Sequence, residues 1–127
     1  MMYQENILDH YKNPRNKGKI ENATFRHHEA NPLCGDVLDV YFLIEKGIVK
    51  DVKINGHGCA ISIASASMLS EKVKGMKVNE LKSIKKEDIL EMLSIPISAA
   101  RLKCALLSMV TFKNAVAIHG QESGGKK

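Results

Sequence analysis

The sequence predicts an α+β domain: a small antiparallel sheet of about three strands with helices packed on one of its faces. Three observations predict it. Apolar residues recur at helical spacing near the N-terminus and again through the second half of the chain. Between those regions the pattern switches to a period of two, with one apolar face and one mixed face. The turn signal Glu45-Lys46-Gly47 joins two alternating runs, so they pair antiparallel.

The elements follow in order. Residues 2–11 carry Ile7, Leu8 and Tyr11 at helical spacing. This first helix should stop at Asn13-Pro14, because the residue before a proline is pushed out of the helical region. A turn-rich loop runs on to Gly18. A strand is expected over Ala23–Glu29. From Asp36, residues Leu38, Val40, Phe42 and Ile44 form one apolar face against the mixed set Val37, Asp39, Tyr41 and Leu43. Past the turn, Ile48, Val52 and Ile54 continue as a further strand that ends at Asn55-Gly56. Ile61 to Val73 reads as a helix with Ile61, Ala64, Met68 and Leu69 on one side and Gly75 as its C-cap. Lys86 to Leu93 is a short amphipathic helix, interrupted by Pro96. The last helix runs from Ser98, an N-cap candidate, to His119, with Leu102, Ala105, Leu106, Met109, Val110 and Phe112 available to the core.

Length and composition narrow the function. A chain of 127 residues is expected to form one domain, 1–127, with 120–127 a flexible tail. It should bury roughly two-thirds of its unfolded surface, enough for a core without staples. With 44% hydrophobic and 26% charged residues it reads as an ordinary globular chain. No apolar run reaches membrane-spanning length, and no basic segment followed by an apolar stretch opens the chain, so the expected compartment is the cytoplasm. The formal charge of +5 favours acidic partners. Nucleic acid is not among the expected ones: aromatics are 5%, tryptophan is absent and the lysines are scattered. Walker A and dinucleotide fingerprints are absent, so nucleotide-driven chemistry is not expected.

The chemistry-bearing residues are three dispersed cysteines and one carboxylate. Cys34 and Asp36 flank Gly35; in an extended segment, residues two apart face the same side, so thiol and carboxylate would point together. Cys59 stands just ahead of a predicted helix, where backbone N–H groups favour negative charge on sulfur. Gly56 and Gly58 keep side chains away from it, or simply end a strand and start a helix. Cys104 follows Arg101 and Lys103, cationic neighbours that favour a thiolate and argue against burial. The bland alternative is three core cysteines, since cysteine is among the most buried residue types. An odd count excludes a complete disulfide framework. Thiolates suit iron–sulfur clusters and zinc, and a carboxylate can fill a fourth position. The spacing is not that of a zinc finger. His57, two residues before Cys59, could reach the same site. His10, His27, His28 and His119 lack ligand spacing and read as surface or turn residues. Ser62, Ser65, Ser67 and Ser70 read as small packing residues rather than nucleophiles.

The stretches Asp9-His-Tyr-Lys-Asn-Pro-Arg-Asn16, Asn31-Pro-Leu-Cys-Gly-Asp36, Gly58-Cys-Ala-Ile-Ser62 and Lys103-Cys-Ala-Leu-Leu107 resemble, in order and at compatible spacing, the iron–sulfur cluster scaffold family of IscU, SufU and the N-terminal part of NifU. The resemblance implies a SufE/NifU-like α+β fold with the three cysteines at one exposed end. It implies a cysteine desulfurase that delivers sulfur as a persulfide, iron as the second component, a [2Fe-2S] cluster as the product and apo-proteins as acceptors. It admits a homo-oligomer. Cys34, Asp36, Cys59 and Cys104 would be the cluster and metal ligands, with Asp36 making the cluster labile and Cys104 accepting the first sulfur. Zinc would occupy the cluster-free form; the alternative role is a zinc-bound persulfide carrier that activates a desulfurase, as in SufU. Two departures matter. IscU proteins have histidine where this chain has Lys103, which leaves Asp36, Lys103 or His57 as the fourth ligand. They also carry an LPPVK motif where this chain has Ile95-Pro-Ile-Ser98, which argues against a dedicated Hsp70-type chaperone. Lys103-Cys104-Ala105 is SufU-like, yet the longer SufU insertion between the second and third cysteines is missing.

Overall fold

A computed structural model describes residues 3–31 and 35–120. Its elements are α1 (Tyr3–Lys12), β1 (Phe25–Asn31), β2 (Asp36–Glu45), β3 (Ile48–His57), α2 (Ala60–Val73), α3 (Val78–Leu81), α4 (Lys86–Leu93), α5 (Ala99–Ala115) and a closing π-turn, Val116–Gly120. The three strands form one antiparallel sheet in the order β1-β2-β3. The expected α+β arrangement holds. No helix among the described residues is long and apolar enough to cross a membrane.

The β2–β3 hairpin turns at Lys46 and Gly47, which both adopt positive φ, 55° and 77°. Two such residues make a type I′ turn, whose twist matches that of the strands it joins. Leu38, Val40 and Phe42 are buried, as their alternation predicts. In β3 the expectation fails at one residue. Ile48 is 41% exposed, and Val49 is buried in its place at 1%. The reason is a bulge: Leu43 pairs with Asp51 but Ile44 pairs with Val49, which leaves Lys50 unopposed and shifts the alternation by one.

The core grows outward from Phe42. Phe25, its partner across the β1–β2 ladder, stacks at 5.1 Å between ring centroids. Phe112 of α5 meets the other side of the ring edge-on at 5.5 Å. Helices α2 and α5 pack against each other and against the sheet, and α1 lies against α2. On the rim, Asn114 of α5 donates to Glu29 of β1 at 2.8 Å. Burial raises the Glu29 carboxyl pKa, but the hydrogen bonds from Asn114 and His27 outweigh it and hold the group below its ordinary range.

Helix α2 is buried nearly all round, on small residues. Its serines do pack, and they also form the polar joints of the domain. Ser65 Oγ donates to the Ala105 carbonyl and shares a hydrogen bond with Ser108 Oγ, each at 2.8 Å. Ser67 Oγ accepts from the Arg15 amide at 2.8 Å and pairs with His10 Nδ1 at 2.7 Å. Ser70 Oγ accepts from Asn16 Nδ2 at 2.9 Å and lies 2.6 Å from the Ser67 carbonyl. His10, expected at the surface, is therefore buried.

The outer edge of β3 is covered by the chain's own loops. Asn16 and Gly18 exchange backbone hydrogen bonds with Ile54, both at 2.8 Å. Gly75 and Met76 do the same with Val49 at 2.9 Å. Covered edges cannot recruit foreign strands. The second loop leads into α3, which the sequence reading missed; Leu81 is its one buried residue, and the Glu80 carboxylate accepts from the Lys77 amide at 2.8 Å. Helix α4 matches its expected bounds. Gly75 lies one residue beyond the C-cap of α2, Lys74. Ser98 precedes α5 but makes no side-chain cap, and α5 gives way to the π-turn before His119.

His10 should make stability depend on pH. Burial, then the nearby Arg15 charge, holds its imidazole pKa below the ordinary 6.5, against the weaker opposing pull of Glu71 and Asp9. The unfolded chain therefore binds a proton that the folded chain refuses, and stability falls as pH drops through about 6.5. In metal-free protein the urea midpoint should fall across that window, and His10→Gln should flatten the fall. Equal slopes for both proteins would remove His10 as the cause.

Candidate metal centre

Strand register places the site. Val37 pairs with His57, so the chain leaving β3 passes directly beside the start of β2. Asp36 shares the face of Leu38 and Val40 and ends that stripe, 2% exposed. A carboxylate there is costly to bury unless it is paired. Its Oδ1 accepts a hydrogen bond from the Cys59 amide at 3.1 Å. Its Oδ2 is buried and has no hydrogen-bond partner among the described residues. An orphaned carboxylate oxygen in a closed site is a natural ligand for a cation.

Two thiols supply the rest of the donor set. Cys59 is the N-cap residue of α2 and is half-buried. Cys104 lies in the second turn of α5, which Ser65 fastens to α2 through the neighbouring Ala105 carbonyl. One carboxylate oxygen of Asp36 and the sulfurs of Cys59 and Cys104 all lie within 4.8 Å of one another. A tetrahedral centre with metal–sulfur bonds of about 2.3 Å needs sulfurs about 3.8 Å apart. Two soft sulfurs with one oxygen suit zinc or ferrous iron better than magnesium or calcium, which take all-oxygen shells.

The sequence expectations fare unevenly. Asp36, Cys59 and Cys104 come together. Cys34 lies outside the described residues. Cys104 was expected to resist burial, and it is 2% exposed. Arg101 and Lys103 are themselves exposed, so they turn to solvent while Cys104 turns inward. Lys103, next to Cys104 in sequence, does not face it on the helix. His57 is exposed and outside the cluster. His27 and His28 pair with Glu29 and Asp39, each at 2.7 Å, away from the site.

The two glycines matter for reasons that spacing could not reveal. Gly56 has φ +151°, and a Cβ there would collide with the Val37 carbonyl oxygen. Gly58 sits against Asp36 itself. Beside the centre, an open cleft of about 400 Å³ runs between the end of α1 and the end of β3, with Tyr11, Lys12, Lys17 and His57 among its walls.

Residues 2–124 match the family model described as the NifU-like N terminal domain. The iron-sulfur cluster assembly scaffold protein IscU of Escherichia coli K12 is 36% identical over 121 residues, covering 92% of this chain and 93% of that protein. The zinc-dependent sulfurtransferase SufU of Bacillus subtilis 168 is 35% identical over 141 residues, covering 98% of this chain and 93% of that one. Among solved structures, FiSufU of Fervidobacterium islandicum AW-1 superposes with a TM-score of 0.77 at 30% identity, covering 88% of this chain and 94% of its own.

The unequal burial of the two described thiols predicts unequal reactivity. In metal-free Cys34→Ser protein, a thiol reagent should modify Cys59 quickly and Cys104 slowly, because Cys104 must await an opening of the helices around it. Cys59→Ser should delete the fast step. Equal rates would mean that Cys104 is as accessible as Cys59.

Proposed function

The chain belongs to the NifU-like N-terminal domain family, and we propose that its place in that family is defined by a site made of Cys34, Asp36, Cys59 and Cys104. The chain is an iron–sulfur cluster assembly scaffold, in keeping with its IscU relatives. The observation that carries the site reading is the buried Asp36 carboxylate beside two cysteine sulfurs, with one oxygen left over. The cluster is cargo, a [2Fe-2S] unit built on these residues and handed to apo-proteins.

Sulfur would come from a cysteine desulfurase. A scaffold thiolate attacks the outer sulfur of the donor persulfide; the new S–S bond forms as the old one breaks, and the donor leaves as a thiolate. Two electrons from an external dithiol or electron-carrier protein then reduce the bound persulfide to sulfide and regenerate the thiolate. Cys104 is the proposed acceptor, and its burial requires that delivery open the space around it. Cys59, half-exposed, lies at the entrance. Iron binds the thiolates as a soft-donor set. Asp36 supplies the single hard donor, which holds iron less firmly than a fourth thiolate would and so favours release.

Zinc-bound sulfur transfer is the second reading, favoured by Lys103-Cys104-Ala105 and by the likeness to the Bacillus subtilis sulfurtransferase. The same donor set suits zinc. Sulfur transfer from the desulfurase, measured with and without iron, separates the two. Persulfide on Cys104 with no cluster under any condition would favour the carrier.

Anaerobic reconstitution with ferrous iron, sulfide and reductant should give the visible absorbance bands of a cluster. A colourless protein, with iron content unchanged in a triple Cys→Ala variant, would sink the proposal. Asp36→Ala should lengthen the cluster's lifetime in the presence of an acceptor or chelator; an unchanged or shorter lifetime would count against Asp36 as the labile ligand.

A further inference from the structure

The orientation of Asp36 is set by the short segment that links β3 to α2. The Cys59 N–H donates to Oδ1. Gly58 lies against the same oxygen: a Cβ there would stand 2.6 Å from Oδ1, 2.9 Å from Cγ and 3.1 Å from Cβ of Asp36. The first two separations are essentially never seen for a real Cβ, so one group would have to move. The carboxylate is 2% exposed and its Oδ1 is tied to the Cys59 amide, so moving it costs a buried hydrogen bond. Gly58 has no left-handed φ, unlike Gly56, so space rather than backbone strain excludes a side chain from position 58.

We propose that Gly58 is a positioning residue for the metal centre: together with the Cys59 amide it seats Asp36 by Oδ1, so that the carboxylate offers Oδ2 to the metal. The inference rests on the ligand set assigned above. The Cys59 N–H takes up one lone pair of Oδ1, whereas Oδ2 has no hydrogen-bond partner among the described residues and is the oxygen left open to a metal. The segment therefore favours Oδ2 as the oxygen offered. Groups that orient a ligand in this way change metal affinity by about tenfold to a hundredfold when they are altered. A methyl group at position 58 would push Asp36 off its seat, break the Cys59 contact and carry Oδ2 away from the sulfurs. No ligand would have been removed, and yet the centre should behave as if one had.

The test is a double-mutant cycle on purified, metal-free protein: wild type, Gly58→Ala, Asp36→Ala and both together. Zn²⁺ affinity and the ligand-field spectrum of bound Co²⁺ are the readouts, and a purely structural role would leave the spectrum unmoved. Gly58→Ala should weaken Zn²⁺ binding by about tenfold to a hundredfold and give the Co²⁺ spectrum of Asp36→Ala. Added to Asp36→Ala, it should change neither. Equal losses in both backgrounds, or an unchanged affinity in Gly58→Ala alone, would overturn the proposal. Should Gly58→Ala fail to fold, the double variant decides, because removing the carboxylate removes the two contacts under 3.0 Å and leaves only the 3.1 Å approach to the Cβ of residue 36. It should recover the urea midpoint of Asp36→Ala, and a double variant that stays unfolded overturns the proposal. Intact coupling without an iron–sulfur cluster on reconstitution would support Gly58's role while sinking the scaffold chemistry. Zn²⁺ binding indifferent to Asp36→Ala would end this inference and leave a cluster held by thiolates.

Discussion

The register of β2 against β3 determines where the chemistry can occur. With Val37 opposite His57, the first residue of β2 meets the first residues beyond β3, and Asp36 comes under the Cys59 amide. A slip of one residue would send every side chain of β2 to the opposite face, with Asp36 in solvent and Val37 in its place. Two features pin the register. The I′ turn at Lys46-Gly47 fixes Glu45 opposite Ile48. The bulge at Lys50 then admits only the pairing that buries Val49, Val52 and Ile54 together. The apolar stripe of the hairpin is thus also the ruler that measures out the metal centre.

Helix α2 converts that placement into a rigid assembly. Its small residues let α1 and α5 approach closely, and its serines fasten both. A helix buried on most sides would ordinarily be apolar throughout. Here the hydroxyls of Ser65, Ser67 and Ser70 have hydrogen-bond partners, and such networks specify one arrangement where interchangeable aliphatic contacts would permit several. The Ser65 hydroxyl has particular leverage, since it holds the carbonyl of Ala105, one residue from Cys104. The thiol on α5 is thereby located relative to α2, whose first turn follows Cys59.

Much of this was legible in the sequence. The proline at 14 ended α1, the alternation from Leu38 to Phe42 gave the buried face of β2, and Lys86–Leu93 matched α4 to the residue. Asp36, Cys59 and Cys104 were recognisable because soft and hard ligand atoms in glycine-rich or helix-start settings have few structural uses in common. What stayed hidden depends on three-dimensional neighbours. Ile48 and Val49 are both β-branched, and only the partner strand shows which one the bulge turns inward. Helix α3 is a single turn around Leu81, too short for periodicity to register. Cys104 looked exposed because its sequence neighbours are charged, yet a helix points adjacent residues in different directions. His10 looked like a surface residue because nothing local announces Ser67, 57 positions away. Gly58 looked like punctuation, whereas its function is to leave room for a carboxylate 22 positions earlier.

The spacing of the ligands along the chain also has a consequence for biosynthesis. Asp36 and Cys59 are joined within one hairpin and its exit, close together along the chain. Cys104 arrives on the last helix, after α2, α3 and α4 have been made. Because chains emerge N-terminus first, the centre is completed late, when α5 docks. On the proposed ligand set, the emerging chain can offer Cys34, Asp36 and Cys59 first, and Cys104 joins them only when α5 docks.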